Sequence, residues 1–306
     1  MNTETKAMLK VQKLEKRFGR VHALGGIDIL LSRPGVYGFL GPNGAGKTTT
    51  QRVLLDVIRP TLGRATVFGL DSRRDGKEIR KRIGYLPGEL SLYTTLTGRQ
   101  FLALMASLED RPVYDSYRDE LCERLELDPS RRIKEYSRGN KQKIGVVSAF
   151  MSKPDLIILD EPTTGLDPLI QQVVLEFVRE ARDDGRTVFF SSHILQEVQE
   201  VCDRVGIIRG GELVKTERIE SLTAQQFKRV RLTLAKTPPA DAFVSDGVDE
   251  IGRDGNSVTL EIRNDLQPVI ERALSFGLVD LETQPVTLEE VFLAFYGRGP
   301  NGGNHA

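Results

Sequence analysis

The chain has 306 residues, with Lys plus Arg and Asp plus Glu both at 43 and a formal net charge of zero. That length supplies a core for one large domain or two modest ones, and the neutral balance argues against a generally basic nucleic-acid binder. No stretch approaches the roughly 20 apolar residues of a membrane-spanning helix, and residues 1–6 carry no apolar signal region, so a cytoplasmic chain is expected.

Residues 9–14 alternate apolar and polar positions and predict a half-buried strand. Residues 21–24 and 27–31 predict two more short strands, with Arg17-Phe18-Gly19-Arg20 as a turn. Phe18 is either a core residue or a flat surface on which a purine stacks. Val36-Tyr37-Gly38-Phe39-Leu40 follows the turn signal Arg33-Pro34-Gly35 and predicts a buried strand.

The next stretch is Gly41-Pro42-Asn43-Gly44-Ala45-Gly46-Lys47-Thr48, which fits G-x-x-x-x-G-K-[ST]. Residues 49–58 read as the helix behind it, stopped by Pro60. A polyphosphate needs donors packed closely around it. Glycines let the backbone bend so that several N–H groups point at one centre, and the helix start adds free donors and a favourable dipole. Lys47 reaches the β- and γ-phosphates, and the Thr48 hydroxyl takes a place on Mg²⁺.

Residues 63–69 predict a strand between glycines, 71–82 a short solvated helix rich in Arg and Lys, and 83–87 a strand ended by proline. Residues 91–127 read as largely helical, with Thr97 as an N-cap and Phe101, Leu104, Met105 and Leu108 as a core-facing stripe. Residues 114–127 give another helix and 144–151 a third. Leu156-Ile157-Ile158-Leu159 is a strand buried on both faces, with Asp160 and Glu161 at its end. A helix over 168–182, a buried strand over 187–190, Ser191-Ser192-His193, a helix over 194–202 and a hairpin around Arg209-Gly210-Gly211-Glu212 complete this part.

Strands alternating with helices predict an α/β fold with a mainly parallel sheet, whose ligands sit at the C-terminal strand ends. Gly41, Asp160 and His193 all fall just past such ends, so three segments point at one crevice. Composition shifts after about residue 225. Residues 230–234 and 258–262 predict half-exposed strands, 266–276 a helix, and Thr287-Leu288-Glu289-Glu290 the capping box of a last helix. Cys122 and Cys202 lack metal spacing and read as buried thiols. His22, His193 and His305 are too scattered for a zinc site.

A strand-end Asp in such an enzyme holds Mg²⁺, a role Asp160 fits. Glu161 beside it is placed to activate a water, which favours ATP hydrolysis over transfer. Ser137 and the Gly139 N–H, leading into a helix from Lys141, form a second anion-binding helix start. It does not easily serve the same phosphate as Lys47 within one chain.

Over residues 9 to about 220 the sequence resembles the nucleotide-binding subunits of ABC transporters. The resemblance rests on the phosphate loop, residues 156–161 with Pro162, Gly165-Leu166-Asp167-Pro168, His193, and Tyr136-Ser137-Arg138-Gly139-Asn140-Lys141-Gln142 in place of the family signature. It implies a P-loop NTPase cassette over residues 1–225, with a mainly parallel core sheet, an antiparallel β-subdomain and a helical subdomain over about 90–152. A small C-terminal α+β domain over 226–296 and a disordered tail over 297–306 are expected after it.

The resemblance also implies site roles. Gly41, Pro42, Asn43, Gly44, Ala45, Gly46, Lys47, Thr48 and Thr49 would surround the phosphates of ATP, and Phe18 would stack on adenine. Thr48 and Asp160 would hold Mg²⁺. Glu161 and His193 would be catalytic, His193 at the γ-phosphate. Two chains, identical or related, would pair head to tail in the ATP state, with Ser137 and Gly139 of one closing the site of the other and Asp167 at the contact.

Two departures stand out. The usual Leu-Ser-Gly-Gly-Gln is Tyr-Ser-Arg-Gly-Asn here, so Arg138 adds a charge that either touches ATP or faces solvent. The Gln expected after Tyr85-Leu86-Pro87 is replaced by Gly88-Glu89, and Glu89 is the candidate for its place at Mg²⁺. The Tyr-Ser-Arg-Gly segment and Thr287-Leu288-Glu289-Glu290-Val291-Phe292 resemble the ABC-2 exporter branch, whose ATPase pairs with a separate membrane permease. That implies a cytoplasmic chain peripheral on the inner face of the membrane, docked through residues 88–96 with Tyr93 as a contact, and no nucleic-acid partner.

Rival readings are weaker. Asn140-Lys141-Gln142-Lys143 lacks the Asp of a guanine reader, and the loop glycines have the wrong spacing for a dinucleotide fold. The remaining alternative is a soluble ATPase of this type with a regulatory or binding role and no transport.

Overall fold

The computed structural model describes residues 7–109, 112–224, 228–262 and 265–284. They form two compact units that divide after Arg218. Composition had put the division near residue 225; the last strand of the first unit ends at Arg218.

The first unit opens with an antiparallel sheet. Strands β1 (Leu9–Phe18) and β2 (Val21–Leu31) form a hairpin. The two short strands expected over 21–31 are one strand, which stays paired across Gly25 and Gly26 through shifts in register. Phe18 ends β1 rather than sitting in a turn. Strand β3 (Gly35–Leu40) leads through the phosphate loop to α1 (Lys47–Leu54). Strands β4 (Leu62–Val67) and β5 (Leu70–Asp71) complete the antiparallel sheet, in the order β2-β1-β4-β5.

The basic stretch yields only α2 (Gly76–Arg80), before β6 (Ile83–Leu86). Residues 91–127 give two helices, α3 (Gly98–Ala106) and α4 (Asp115–Arg124). Thr97 caps α3 in a full capping box with Gln100. The predicted core stripe on α3 needs correction. Phe101 and Leu102 are buried, but Leu104 is 37% and Leu108 62% exposed. The buried face runs through Gly98, Phe101 and Leu102, so it is rotated away from Leu104 and Leu108.

Helix α5 (Arg138–Phe150) begins earlier than the apolar pattern from residue 144 indicated, because Ser137 accepts a hydrogen bond from the Asn140 N–H and caps it. Then come β7 (Leu156–Asp160), α6 (Pro168–Asp183), β8 (Thr187–Ser192), α7 (Leu195–Val201), β9 (Arg204–Arg209) and β10 (Glu212–Arg218). The large sheet has the order β10-β9-β3-β8-β7-β6, parallel except for the edge strand β10.

Every residue of β7 and β8 is buried, as expected of parallel strands covered on both faces. Helices α6 and α7 pack on β3 and β8, and α5 packs on β6 and β7. Helix α1 touches β7 of the large sheet and β2 and β4 of the antiparallel sheet, so one core joins the two sheets. The approach of α5 to β6 is close enough that a Cβ on Gly84 would lie 1.9 Å from the Ala149 carbonyl oxygen.

The second unit holds α8 (Ile219–Ala224), β11 (Lys228–Leu234), β12 (Val248–Asp254), β13 (Ser257–Ile262), α9 (Gln267–Ser275) and β14 (Leu278–Gln284). Its strands form an antiparallel sheet in the order β12-β13-β11-β14. Val230, Leu232 and Leu234 share a buried cluster with Val258, Leu260, Ile262 and the α9 residues Val269 and Ala273. The helix expected from Thr287 and the tail over 297–306 lie outside the described residues.

Phe189 on β8 is fully buried, its ring centroid 5.3 Å from that of Phe39 and 5.6 Å from that of Tyr37. Phe189→Ala is expected to destabilise the first unit by about 3–5 kcal/mol, measured as a lowered urea midpoint.

Candidate nucleotide site

The site grows from the strand order. With β3, β8 and β7 adjacent, the segments leaving their C-terminal ends must meet. The Gly41 N–H donates to the Ser192 carbonyl, and the Glu161 N–H to the Ser191 carbonyl. The phosphate loop is braced from outside. The turn between β9 and β10 has positive φ at Gly210 and Gly211, as a tight hairpin requires, and the Gly211 N–H reaches the Ala45 carbonyl at 3.0 Å. Gly41 has no room for a side chain, since a Cβ would lie 2.3 Å from the Ile208 carbonyl oxygen.

Lys47 is the first residue of α1. No side chain caps this helix and no acid stands in its first turn, so its N–H groups and dipole face the loop uncompensated. Lys47 is nearly buried. Its Nζ donates to the Gly41 carbonyl at 2.6 Å and lies 3.1 Å from Glu161 Oε1. The other Glu161 oxygen meets His193 Nδ1. Glu161 has φ of 53°, a left-handed conformation that side chains rarely adopt and that marks stored strain at a functional position.

Asp160 is fully buried. It accepts hydrogen bonds from Thr48 Oγ1 at 2.6 Å and Ser191 Oγ at 2.7 Å. Burial first, and then the Asp160 charge, push the Tyr85 hydroxyl up to about 12, so Tyr85 stays neutral. Gly88 lies over the same carboxylate; a Cβ there would sit 3.0 Å from Asp160 Oδ2.

These groups line a cavity of about 480 Å³. Of the residues singled out from sequence, Pro42, Asn43, Gly44, Gly46, Lys47, Thr48, Thr49, Glu89, Asp160, Glu161 and His193 line it. Gly41 and Ala45 are buried in the loop. Phe18, Ser137, Gly139 and Asp167 do not line it. Phe18 is half exposed, with Lys16 Nζ 4.7 Å from its ring centroid. Asp167 caps α6 by accepting from the Ile170 N–H.

Sequence reasoning missed Arg52 and Thr164, which also line the cavity. It also missed Glu197, whose two oxygens accept from Thr163 Oγ1 and Ser192 Oγ and so tie the segment after Glu161 to the one carrying His193. A signal for Glu197 existed. It falls with Ile194, Val198 and Val201 on one helical face, so an acid occupies an apolar stripe.

The arrangement suits a bound phosphate chain. Thr48 and Asp160 offer oxygen donors to a hard divalent cation. Among the described residues no group of three His, Cys, Asp or Glu forms a metal cage.

Comparisons with known proteins agree with the geometry. The ABC transporter family description matches residues 24–164. A daunorubicin resistance ATP-binding protein of Streptomyces coeruleorubidus is 33% identical over 94% of this chain and 96% of its own length. A bacitracin transport ATP-binding protein of Bacillus licheniformis is 33% identical over 81% of this chain and 83% of its own. A solved dimeric ATP-binding cassette, in a post-hydrolysis state with ADP and Pi, shares the fold at a TM-score of 0.63 and 21% identity, over 69% of this chain and 99% of its own.

Burial pushes the Glu197 carboxyl above the usual carboxylate range, outweighing the two hydroxyls that donate to it. A raised carboxyl pKa means that the folded chain binds the proton at a higher pH than the unfolded chain. Lowering pH from neutral through that pKa towards the ordinary value of about 4.3 should therefore stabilise the wild type relative to Glu197→Gln, as read in thermal melts across that range. The opposite trend would mean that the hydroxyls, not burial, set the pKa.

Proposed function

Since the chain belongs to the ABC transporter family, among its ATP-binding subunits, we propose that it binds and hydrolyses ATP to drive an exporter whose membrane-spanning part is a separate subunit. What supports this is the convergence of Lys47, Thr48, Asp160, Glu161 and His193 on one cavity, together with relatives named for bacitracin transport and daunorubicin resistance. No helix among the described residues is long and apolar enough to cross a membrane.

Lys47 and the open N–H groups of α1 hold the β- and γ-phosphates. Thr48 and Asp160 would hold Mg²⁺, with Glu89 lining the same cavity, and the cation would supply positive charge to the phosphate oxygens. Glu161 takes a proton from a water. The water oxygen bonds to the γ-phosphorus as the bond to the bridging oxygen breaks, giving ADP and inorganic phosphate. His193 holds the Glu161 carboxylate in place and faces the γ-phosphate.

Ser137 and Gly139 lie off this cavity, so a second chain, identical or related, supplies them across a head-to-tail dimer. The dimeric cassette of the same fold supports that pairing. Closure on ATP and reopening after hydrolysis give the stroke. The permease docks on residues 88–96 and the α3 region, where Tyr93 is 59% exposed and Leu104 and Leu108 are also uncovered.

Glu161→Gln is expected to keep ATP binding, lose hydrolysis by about 10²–10⁴-fold and accumulate dimer on gel filtration with ATP. Normal turnover in this variant would remove Glu161 as the base. Tyr93→Asp and Leu108→Asp should keep basal ATPase activity but lose co-purification with the membrane subunit. Undiminished recovery of the complex would place the docking surface elsewhere.

A further inference from the structure

Glu197 lies in the first turn of α7 and is buried, as are Val198 and Val201 of the same helix. An acid in a first turn ordinarily stands in solvent and complements the helix dipole. A buried carboxylate costs free energy unless its oxygens are hydrogen-bonded. Here both are. Thr163 Oγ1 donates to Glu197 Oε1, and Ser192 Oγ donates to Glu197 Oε2 at 2.6 Å. Thr163 and Ser192 are buried too, so three polar side chains form one enclosed cluster.

The cluster sits where the sheet ceases to hold the chain. Strands β7 and β8 stay in register up to the pair Asp160 and Ser191. One more backbone bond follows, from the Glu161 N–H to the Ser191 carbonyl. Beyond it, among the described residues, the hydrogen bonds that join the two segments come from side chains: His193 to Glu161, and Glu197 to Thr163 and Ser192. The Thr164 N–H returns to the Glu161 carbonyl at 3.2 Å, so a shift of Thr163 carries Glu161 with it. On the other segment, Ser192 Oγ also accepts from the Ile194 N–H. The residues on both sides of His193 are thus held through one hydroxyl. A carboxylate only accepts, so it turns both hydroxyl protons towards itself and leaves a lone pair of Ser192 for Ile194.

We propose, on the ATPase reading above, that Glu197 is a positioning residue for hydrolysis: by clasping Thr163 and Ser192 it holds Glu161 and His193 where they meet. Glu197 does not line the nucleotide cavity, so it acts through these two residues and not on ATP. Its loss slows the chemical step and leaves ATP binding, which Lys47 and the phosphate loop carry, as it was.

The test compares full-length wild type with Glu197→Ala, by calorimetric titration with MgATP and by steady-state ATPase activity. The variant should keep the affinity and stoichiometry of MgATP binding while kcat falls by up to about 10²-fold, the cost of a misplacement of about 1 Å. Glu197→Gln should recover part of the rate, because its amide oxygen accepts from one hydroxyl whereas its NH₂ only donates to the other. Thr163→Val keeps the branched shape, opens one side of the clasp and should lower kcat in the same way, which also covers the case of Glu197→Ala failing to fold. Unchanged kcat in Thr163→Val would overturn the proposal. So would a rate that falls only in proportion to the fraction of chains still binding MgATP, since that is the mark of a purely structural role.

The double variant checks that the two residues act through one contact. With Glu197→Ala already present, adding Thr163→Val should lower kcat little further. Full multiplication of the two losses would mean that they act separately, against the clasp. Absence of ATP hydrolysis by the wild type would instead sink the ATPase reading itself.

Discussion

A single buried carboxylate holds the site together. Asp160 ends the buried strand β7 and accepts hydrogen bonds from Thr48, at the start of α1, and from Ser191, at the end of β8. A buried charge is tolerated only when hydrogen-bonded or paired. Two hydroxyl donors meet that demand, and both come from segments that must stay in register for the donors to reach. The parallel pairing of β3 with β8 and of β8 with β7 delivers that register. Thr48 is also the residue proposed to share a cation with Asp160, so the contact that satisfies the buried charge is the one a metal would reorganise.

Above Asp160 lies a chain of charge. Lys47 contacts one oxygen of Glu161 and His193 the other. Lys47 also donates to the Gly41 carbonyl, so its ammonium is shared between the loop and the acid. A phosphate entering the cavity competes for the same ammonium. Under the proposed mechanism, binding would exchange an ion pair within the protein for one with the ligand and free one Glu161 oxygen. The left-handed backbone at Glu161 is strained, and Gln142 helps to hold it by donating to the Glu161 and Pro162 carbonyls. Gln142 lies on α5, the helix that starts at Arg138. The start of α5 and Glu161 are thus mechanically connected within one chain.

Much of this was legible in the sequence wherever one local pattern decides the outcome. The phosphate loop is a local pattern, since the glycines, Lys47 and Thr48 act through backbone geometry and a helix start. The runs at 156–159 and 187–190 are local as well, because an unbroken apolar strand fits only a sheet covered on both faces. The meeting of Gly41, Asp160 and His193 was legible from their places at strand ends, but contacts that no strand end announces were not. Arg52, Thr164 and Glu197 join the site through tertiary packing, and nothing in their immediate neighbours states which cavity they will meet. Strand β2 was divided in two because Gly25 and Gly26 interrupt the apolar alternation, whereas the pairing with β1 continues across them. The start of α5 was placed late because apolar periodicity begins at Ile144, while the helix itself begins at the Ser137 cap.

The stripe on α3 shows why periodicity alone misassigned a surface. Phe101, Leu104, Met105 and Leu108 recur at helical spacing, and that spacing reports an apolar face without naming what covers it. In the folded chain, Phe101 and Leu102 turn inward and Leu104 and Leu108 do not. Isolated exposed leucines are ordinary on protein surfaces. Leu104 on α3 and Leu108 just past its end both stay exposed, as does Tyr93, and exposed apolar area beyond isolated residues marks interaction surfaces. Tyr93 lies in the segment 88–96, whose first residues, Gly88 and Glu89, line the nucleotide cavity. A partner seated on that segment would bear on residues that line the site, since a Cβ on Gly88 would lie 3.0 Å from Asp160 Oδ2.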